Sequence, residues 1–339
     1  MKLAPLNPPR ILALARTLAL AALVLPTAGC DHGGGSAAAS LTTASRTGSL
    51  PRFAELREVR HTGTRKVELF DRSVEPARYL AYREKVASDG AGRFELTPLE
   101  PLTRVAPDWP TFQFLQQSRA RFLVRYRDFA VRDQSLFLRN YEIRDLARVE
   151  TIAGRSASLY LVRRADGSHG FELAVDDETD LVLRARELDG DGQTSSQVTY
   201  ESIDLAPSFD AVVFHRSTID ETEEPLGEGL EEAFGTPVLV PRLLPAGYEL
   251  RHASTLIDDE GERWAKLTFT DGVETLFFAQ FLPAEGDAIA QRPPQGDELV
   301  VSRMGSVVTA SGRIGPRRLL VLGKVGERAL LDLVESSLP

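Results

Sequence analysis

The sequence predicts an α+β protein built mainly of antiparallel β-structure, and three observations predict it. From Phe53 onward, apolar residues alternate with polar or charged ones at a period of two, in short runs closed by turn residues. Between Val149 and Asp204 four such runs follow one another across tight turns, one of them Asp189-Gly190-Asp191-Gly192. Helical spacing is confined to two stretches. Alternation suits strands with one face on a core and one in water, and Asp-Gly steps between alternating runs are strong hairpin signals.

Taken in order, Lys66-Val67-Glu68-Leu69-Phe70 alternates charge with apolar groups. Residues 79–86 read as a strand that stops at Ser88-Asp89-Gly90, and 93–96 resume after that turn. Phe112, Leu115, Arg119, Phe122 and Tyr126 recur at three- and four-residue spacing, which predicts a helix over 111–127. Residues 135–145 either extend it or open another strand. The runs 157–162, 170–175, 181–188 and 196–204 predict a four-stranded meander. These elements define a first unit over 53–218.

Residues 219–240 carry Asp220, Glu221, Glu223, Glu224, Glu228, Glu231 and Glu232 among Pro225, Gly227 and Gly229. Like-charge crowding with helix and strand breakers predicts a solvated acidic linker. A smaller α+β unit is expected over 241–339. Its strands fall near 252–257, 264–269, 275–281, 300–303, 306–310 and 318–322, and a terminal helix over 327–338 carries Leu330, Leu331 and Val334 on one face.

The N-terminus reads as an export signal over 1–29. Lys2, Arg10 and Arg16 precede any acid, and 17–25 is an apolar core of signal-peptide length, short of the ~18–20 residues that span a bilayer. Leu25-Pro26-Thr27-Ala28-Gly29-Cys30 resembles the lipobox of bacterial lipoproteins, with Thr27 where such boxes usually carry Leu. Cys30, the one cysteine of the chain, is then the acylated first residue and cannot form an intrachain disulfide. Asp31 resembles the signal that retains lipoproteins at the inner membrane. The small, polar stretch that follows, within 30–52, reads as a tether. Expected is a lipid-anchored protein on the periplasmic side of the envelope. Removing the three basic residues of 1–29 takes the net charge from −9 to −12. So acidic a chain is a poor nucleic-acid binder, because phosphate neutralisation supplies much of that affinity.

Catalytic and metal-binding patterns are absent from the sequence. His32, His61, His169, His215 and His252 are scattered and read as surface or packing residues. No G-x-S-x-G elbow, P-loop or G-x-G-x-x-G run occurs. The Asp189–Gln193 run begins like a calcium loop but has Thr194 and Tyr200 where that loop needs Gly and Glu, and it reads as a hairpin turn. No enzyme activity, cofactor or metal is expected.

Ile152-Ala153-Gly154-Arg155, then Asp176-Asp177-Glu178-Thr179 and Val182-Leu183-Arg184, resemble the MucB/RseB family of periplasmic sigma-E regulatory proteins, with Asp180 in place of the family's Gly. Leu244-Pro245-Ala246-Gly247-Tyr248 and Phe269-Thr270-Asp271-Gly272 are similar to that family's C-terminal segments. The resemblance covers most of 151–281, and the lipobox departs from a family that is usually soluble. It implies a first domain shaped as a curved, incomplete barrel closed by helices (LolA/LppX-like), with a groove for acyl chains of lipid or lipoprotein. It implies a second domain that docks on a transmembrane anti-sigma factor and modulates its proteolysis.

By strand parity the groove candidates are Leu159, Leu161, Phe171, Leu173, Val175, Leu181 and Leu183, with Phe112, Leu115 and Phe122 on the helix; a dry core is the alternative for all ten. Tyr248, Trp264, Phe269, Phe277 and Phe278 read as core of the second unit. Arg313, Arg317 and Arg318 form either a basic edge for an acidic partner or a solvated loop. The functions left open are an envelope-stress regulator, a lipid or lipoprotein carrier, and an envelope lipoprotein with no sigma-factor role.

Overall fold

The computed structural model describes residues 53, 59–72, 77–91, 93–103, 128–210, 212, 214, 220–257, 263–281, 299–304 and 307–338. The signal, Cys30, the tether and the helix expected over 111–127, with Phe112, Leu115 and Phe122, lie outside these residues.

Eight strands form the first sheet: β1 (His61–Asp71), β2 (Arg78–Ser88), β3 (Phe94–Pro101), β4 (Tyr141–Ile152), β5 (Arg155–Arg164), β6 (His169–Asp176), β7 (Val182–Asp189) and β8 (Thr194–Asp204). Their order is β3-β2-β1-β8-β7-β6-β5-β4, every pairing is antiparallel, and β3 and β4 are the outermost strands among the described residues. The four runs read as a meander are β5 to β8, adjacent in that order. A short helix, α1 (Gln134–Asn140), precedes β4, so 135–145 holds both a helix and the start of a strand. Asp133 caps α1 by accepting a hydrogen bond from the Leu136 amide at 2.9 Å.

The second sheet holds β9 (Asp220–Glu224), β10 (Glu249–Ile257), β11 (Arg263–Thr270), β12 (Thr275–Phe281), β13 (Leu299–Met304), β14 (Val307–Ile314) and β15 (Arg317–Gly323). Its order is β13-β14-β15-β12-β11-β10-β9, again antiparallel throughout. Two helices, α2 (Glu228–Phe234) and α3 (Glu327–Ser337), bury residues in one core with it. Tyr248, Phe269 and Phe278 lie in that core, as expected, together with Leu267 and Leu276; buried Phe277 and half-buried Trp264 lie outside it. Leu330, Leu333 and Val334 of α3 close it, so Leu333 takes the place expected for Leu331. The spacing i, i+3, i+4 is the stripe a helix offers to a sheet.

The acidic segment 219–240 is not a solvated linker. Asp220 to Glu224 pair with Ile257 to Ala253 as the edge strand β9, and α2 buries Leu230 and Phe234. Local charge density misled because the compensating cation is remote in sequence: Lys266 Nζ lies 2.6 Å from Glu221 Oε1, and Ser254 donates to the same oxygen at 2.7 Å. Burial works against the Glu221 carboxylate, but these two contacts outweigh it and hold its pKa below the ordinary value. A charged edge strand also resists pairing with foreign strands.

The two sheets meet at a buried seam. The β11–β12 turn, Asp271-Gly272-Val273, inserts against α1 and the first sheet, and Val273 joins the cluster of Phe137, Tyr141, Phe171 and Leu173. The Gly272 carbonyl accepts from the Arg132 and Asp133 amides at 2.7 and 3.2 Å. Asn140 Nδ2 donates to the carbonyls of Gly247 at 2.9 Å and Asp271 at 2.8 Å. The seam is therefore specified by backbone hydrogen bonds as well as by apolar burial.

Candidate functional site

Beside this seam lies a cavity of about 600 Å³ walled by both sheets. The first sheet contributes an apolar wall from Phe171, Val182, Ala185 and Val198, joined by Leu181 from the turn before β7 and by Phe129 and Val131 from the segment before α1. Residues on β10, β11 and β12 contribute a polar wall of His252, Thr268, Thr270 and Thr275. Cavities of this size, mostly apolar with a few convergent polar groups, are the usual form of small-molecule sites.

The rest of the lining is ordered by buried charge. Arg65 on β1 is almost fully buried; its Nε donates to Glu84 Oε1 at 3.1 Å and its Nη1 to Asp128 Oδ2 at 2.8 Å. Burial lowers the Arg65 pKa, but Asp128 and Glu84 override it and raise the pKa well above the ordinary value. His61 Nδ1 donates to the Val59 carbonyl at 2.8 Å, which leaves Nε2 to accept from the Tyr200 hydroxyl at 2.6 Å. Burial, partly opposed by that backbone bond, lowers the His61 pKa and keeps the ring neutral. Burial likewise pushes the Tyr200 hydroxyl up to about 12.

At the seam Asp271, fully buried, accepts from Tyr141 Oη at 2.7 Å and from Arg164 Nη1 at 3.1 Å. His169 Nε2 lies 3.0 Å from the Tyr141 oxygen. Burial, with Asp271 beside it, raises the Tyr141 pKa, so the hydroxyl stays protonated. Lys324, just after β15, sits 3.1 Å from both Glu187 on β7 and Glu274 before β12. One ammonium thus serves two buried carboxylates. Burial raises the Glu274 pKa to about 7 despite Lys324. Among the described residues, no group of three or more His, Cys, Asp or Glu is arranged to hold a metal ion. Nor is any helix there long and apolar enough to cross a membrane.

The seven described groove candidates do not form one wall. Pairing sets Leu159 opposite Ala174 and Leu161 opposite Glu172, while Tyr160 and Val162 oppose Leu173 and Phe171. Directly opposed residues share a face, so Leu159 and Leu161 look away from Phe171 and Leu173. Phe171, Leu173 and Val175 belong to the cluster at the seam. Leu159 and Leu183, with Leu181 packed against them, belong to another with Val86 and Tyr200. A bulge between Ala174 and Val175 adds to the break in parity. Of the seven, only Phe171 and Leu181 line the cavity.

The three arginines also part company. Arg313 opposes Arg318 across the β14–β15 hairpin, whereas Arg317 opposes Ile314 on the other face. Arg318 lies over the Phe281 ring at 5.6 Å, and Arg317 donates to Gln280 Oε1 at 3.1 Å. Burial lowers the Arg317 pKa. Sequence reading missed Arg65, Glu84, Asp128, Thr268 and Thr275, because their partners or cavity neighbours are brought near only by sheet pairing and the seam.

The fold is thus a pair of all-antiparallel sheets with a cavity of ligand size between them. Residues 114–220 match the family model of the MucB/RseB N-terminal domain. Similar solved structures include MucB in complex with MucA(peri), at 16% identity and a TM-score of 0.46, and the Pseudomonas aeruginosa MucA/MucB complex, at 17% and 0.46. MucB alone is 19% identical with a TM-score of 0.48. Each likeness covers 84% of this chain and 94% of the other. No curated protein matches.

Proposed function

We propose that this protein is a non-enzymatic regulator on the periplasmic side of the envelope, which takes the acyl chain of a lipid or lipoprotein into the inter-sheet cavity. In the same proposal it holds the periplasmic part of a transmembrane anti-sigma factor and modulates that factor's proteolysis. The match of residues 114–220 to the MucB/RseB N-terminal domain is the observation that carries it. The apolar first-sheet wall supports the acyl half, since burying hydrocarbon contributes about 25 cal/mol per Å². An open, lipoprotein-carrier-like half-barrel for the first sheet, over 53–218, belongs to this proposal. So does a basic contribution from Arg313, Arg317 and Arg318 to the partner surface. Acylation at Cys30 supplies the mooring, and Asp31 the lean toward the inner membrane.

The test uses the mature chain without residues 1–29. It is expected to retain the purified periplasmic segment of a single-pass anti-sigma factor from the same cell, and to slow its cleavage. Failure of the folded chain to retain that segment, while still binding an acylated probe, replaces regulation with the second reading, a lipid or lipoprotein carrier. The cavity is what favours that alternative.

A further inference from the structure

The polar wall of the cavity carries two hydroxyls that bond to nothing among the described residues. Thr268 and Thr275 are 3% and 6% exposed, both line the cavity, and neither Oγ1 has a hydrogen-bond partner among the described residues. Their neighbour Thr270 shows what satisfaction looks like there: its hydroxyl donates to the Glu274 carbonyl at 2.8 Å and accepts from the Gly272 amide at 3.0 Å. Register places these groups on one face, with Thr268 opposite His252 across β10–β11 and Thr270 opposite Thr275 across β11–β12. Leaving a buried hydroxyl unpaired is costly, so two on one wall of a cavity mark a place where an acceptor is expected to sit.

We infer that Thr268 and Thr275, beside His252, form a hydrogen-bonding platform for the carbonyl of an ester- or amide-linked acyl chain. This rests on the acyl-chain proposal above and adds the polar group that the site selects. The chain lies along Phe171, Val182, Ala185 and Val198, and the linkage carbonyl turns to the second sheet, where the threonine hydroxyls donate to it. A free fatty acid fits worse. Asp128, Asp180 and Glu187 also line the cavity, and its cations are already engaged. Arg65 is held by Glu84 and Asp128, Arg132 by the Val273 and Asp128 carbonyls, and Arg251 by Asp133. A neutral carbonyl needs no counter-charge; a carboxylate does.

The experiment compares palmitoyl lysophosphatidylcholine with its hexadecyl ether analogue, both as monomers, by titration calorimetry on the mature chain. Wild type is expected to bind the ester more tightly than the ether. A Thr268→Val, Thr275→Val double variant keeps the side-chain shape, weakens the ester on the order of tenfold and leaves the ether unchanged. The unliganded variant should melt no lower than wild type, because the lost hydroxyls bond nothing in the free chain. Equal binding of the two probes by wild type, equal weakening of both in the variant, or a lowered melting temperature overturns the inference and leaves the acyl proposal standing. If wild type binds neither probe, the acyl proposal itself fails and the platform falls with it.

Discussion

Gly272 shows how far one residue determines the joining of the two sheets. Its φ of +107° lies where L side chains rarely go, and a Cβ there would collide with the Phe137 amide nitrogen in the middle of α1. Backbone on backbone cannot yield as the end of a flexible side chain can. Gly272→Ala is expected to cost at least about 3 kcal/mol, from φ strain together with the forced separation of the turn from α1. Gly315→Ala is the control, since φ there is +56° and nothing lies within 4 Å of the added carbon. That change should cost only ~1 kcal/mol. Urea midpoints compare the two, and equal shifts would show that the turn is not wedged into the first sheet. The sequence marks Asp271-Gly272 as a turn, but its residues cannot disclose that the carbonyl of this glycine is spoken for by amides about 140 positions earlier.

At the scale of elements, the segment taken as an acidic linker carries much of the second core's edge. Leu230 is fully buried by α2 against that sheet, whereas Leu226, four residues earlier, is 47% exposed. Leu230→Ala should therefore destabilise by about 2–5 kcal/mol, as buried leucine truncations do, and Leu226→Ala by no more than about 0.5 kcal/mol. Matching denaturation curves for the two variants would restore the linker. Strands such as 275–281 are legible because alternation and flanking turns are local properties, and β12 occupies those same residues. The β9–α2 segment is illegible for the opposite reason, since Lys266 and Ser254, which neutralise and bond Glu221, are more than thirty residues away. The cavity suffers likewise. Its first wall is partly visible as Phe171 and Leu181, but bulged pairing decides which strand face is inward, and Thr268 and Thr275 come from another sheet altogether.

For the molecule as a whole, the seam ties sheet docking to proton binding. Glu274 faces Lys324 and Glu187, with Arg132 and Asp271 acting on it from the loop before α1 and from its own turn. Burial is the chief cause that lifts its pKa from 4.5 to about 7. A carboxyl raised on folding binds its proton more tightly in the native state, so its contribution to stability is complete below about 4.5 and is lost as pH rises through about 7. Asp176 and Glu221 act in the opposite sense: burial opposes them, but Arg155 and Lys266 hold their pKa values down, so their contributions are lost on acidification. The Glu274 contribution must therefore be isolated by difference. Glu274→Gln imitates the protonated acid at every pH. The stability of wild type minus that of the variant should fall by on the order of 1–3 kcal/mol between about pH 5 and about pH 8 in urea unfolding. Lys324→Met removes the shared cation, leaves Glu187 and Glu274 facing each other, and should move the same fall to higher pH. Because Glu187 both pairs with Lys324 and lines the cavity, a ligand that displaces it would alter the same difference curve. A wild-type-minus-Gln difference that stays flat across this window would mean that Glu274 keeps an ordinary pKa and that the seam takes up no proton on docking.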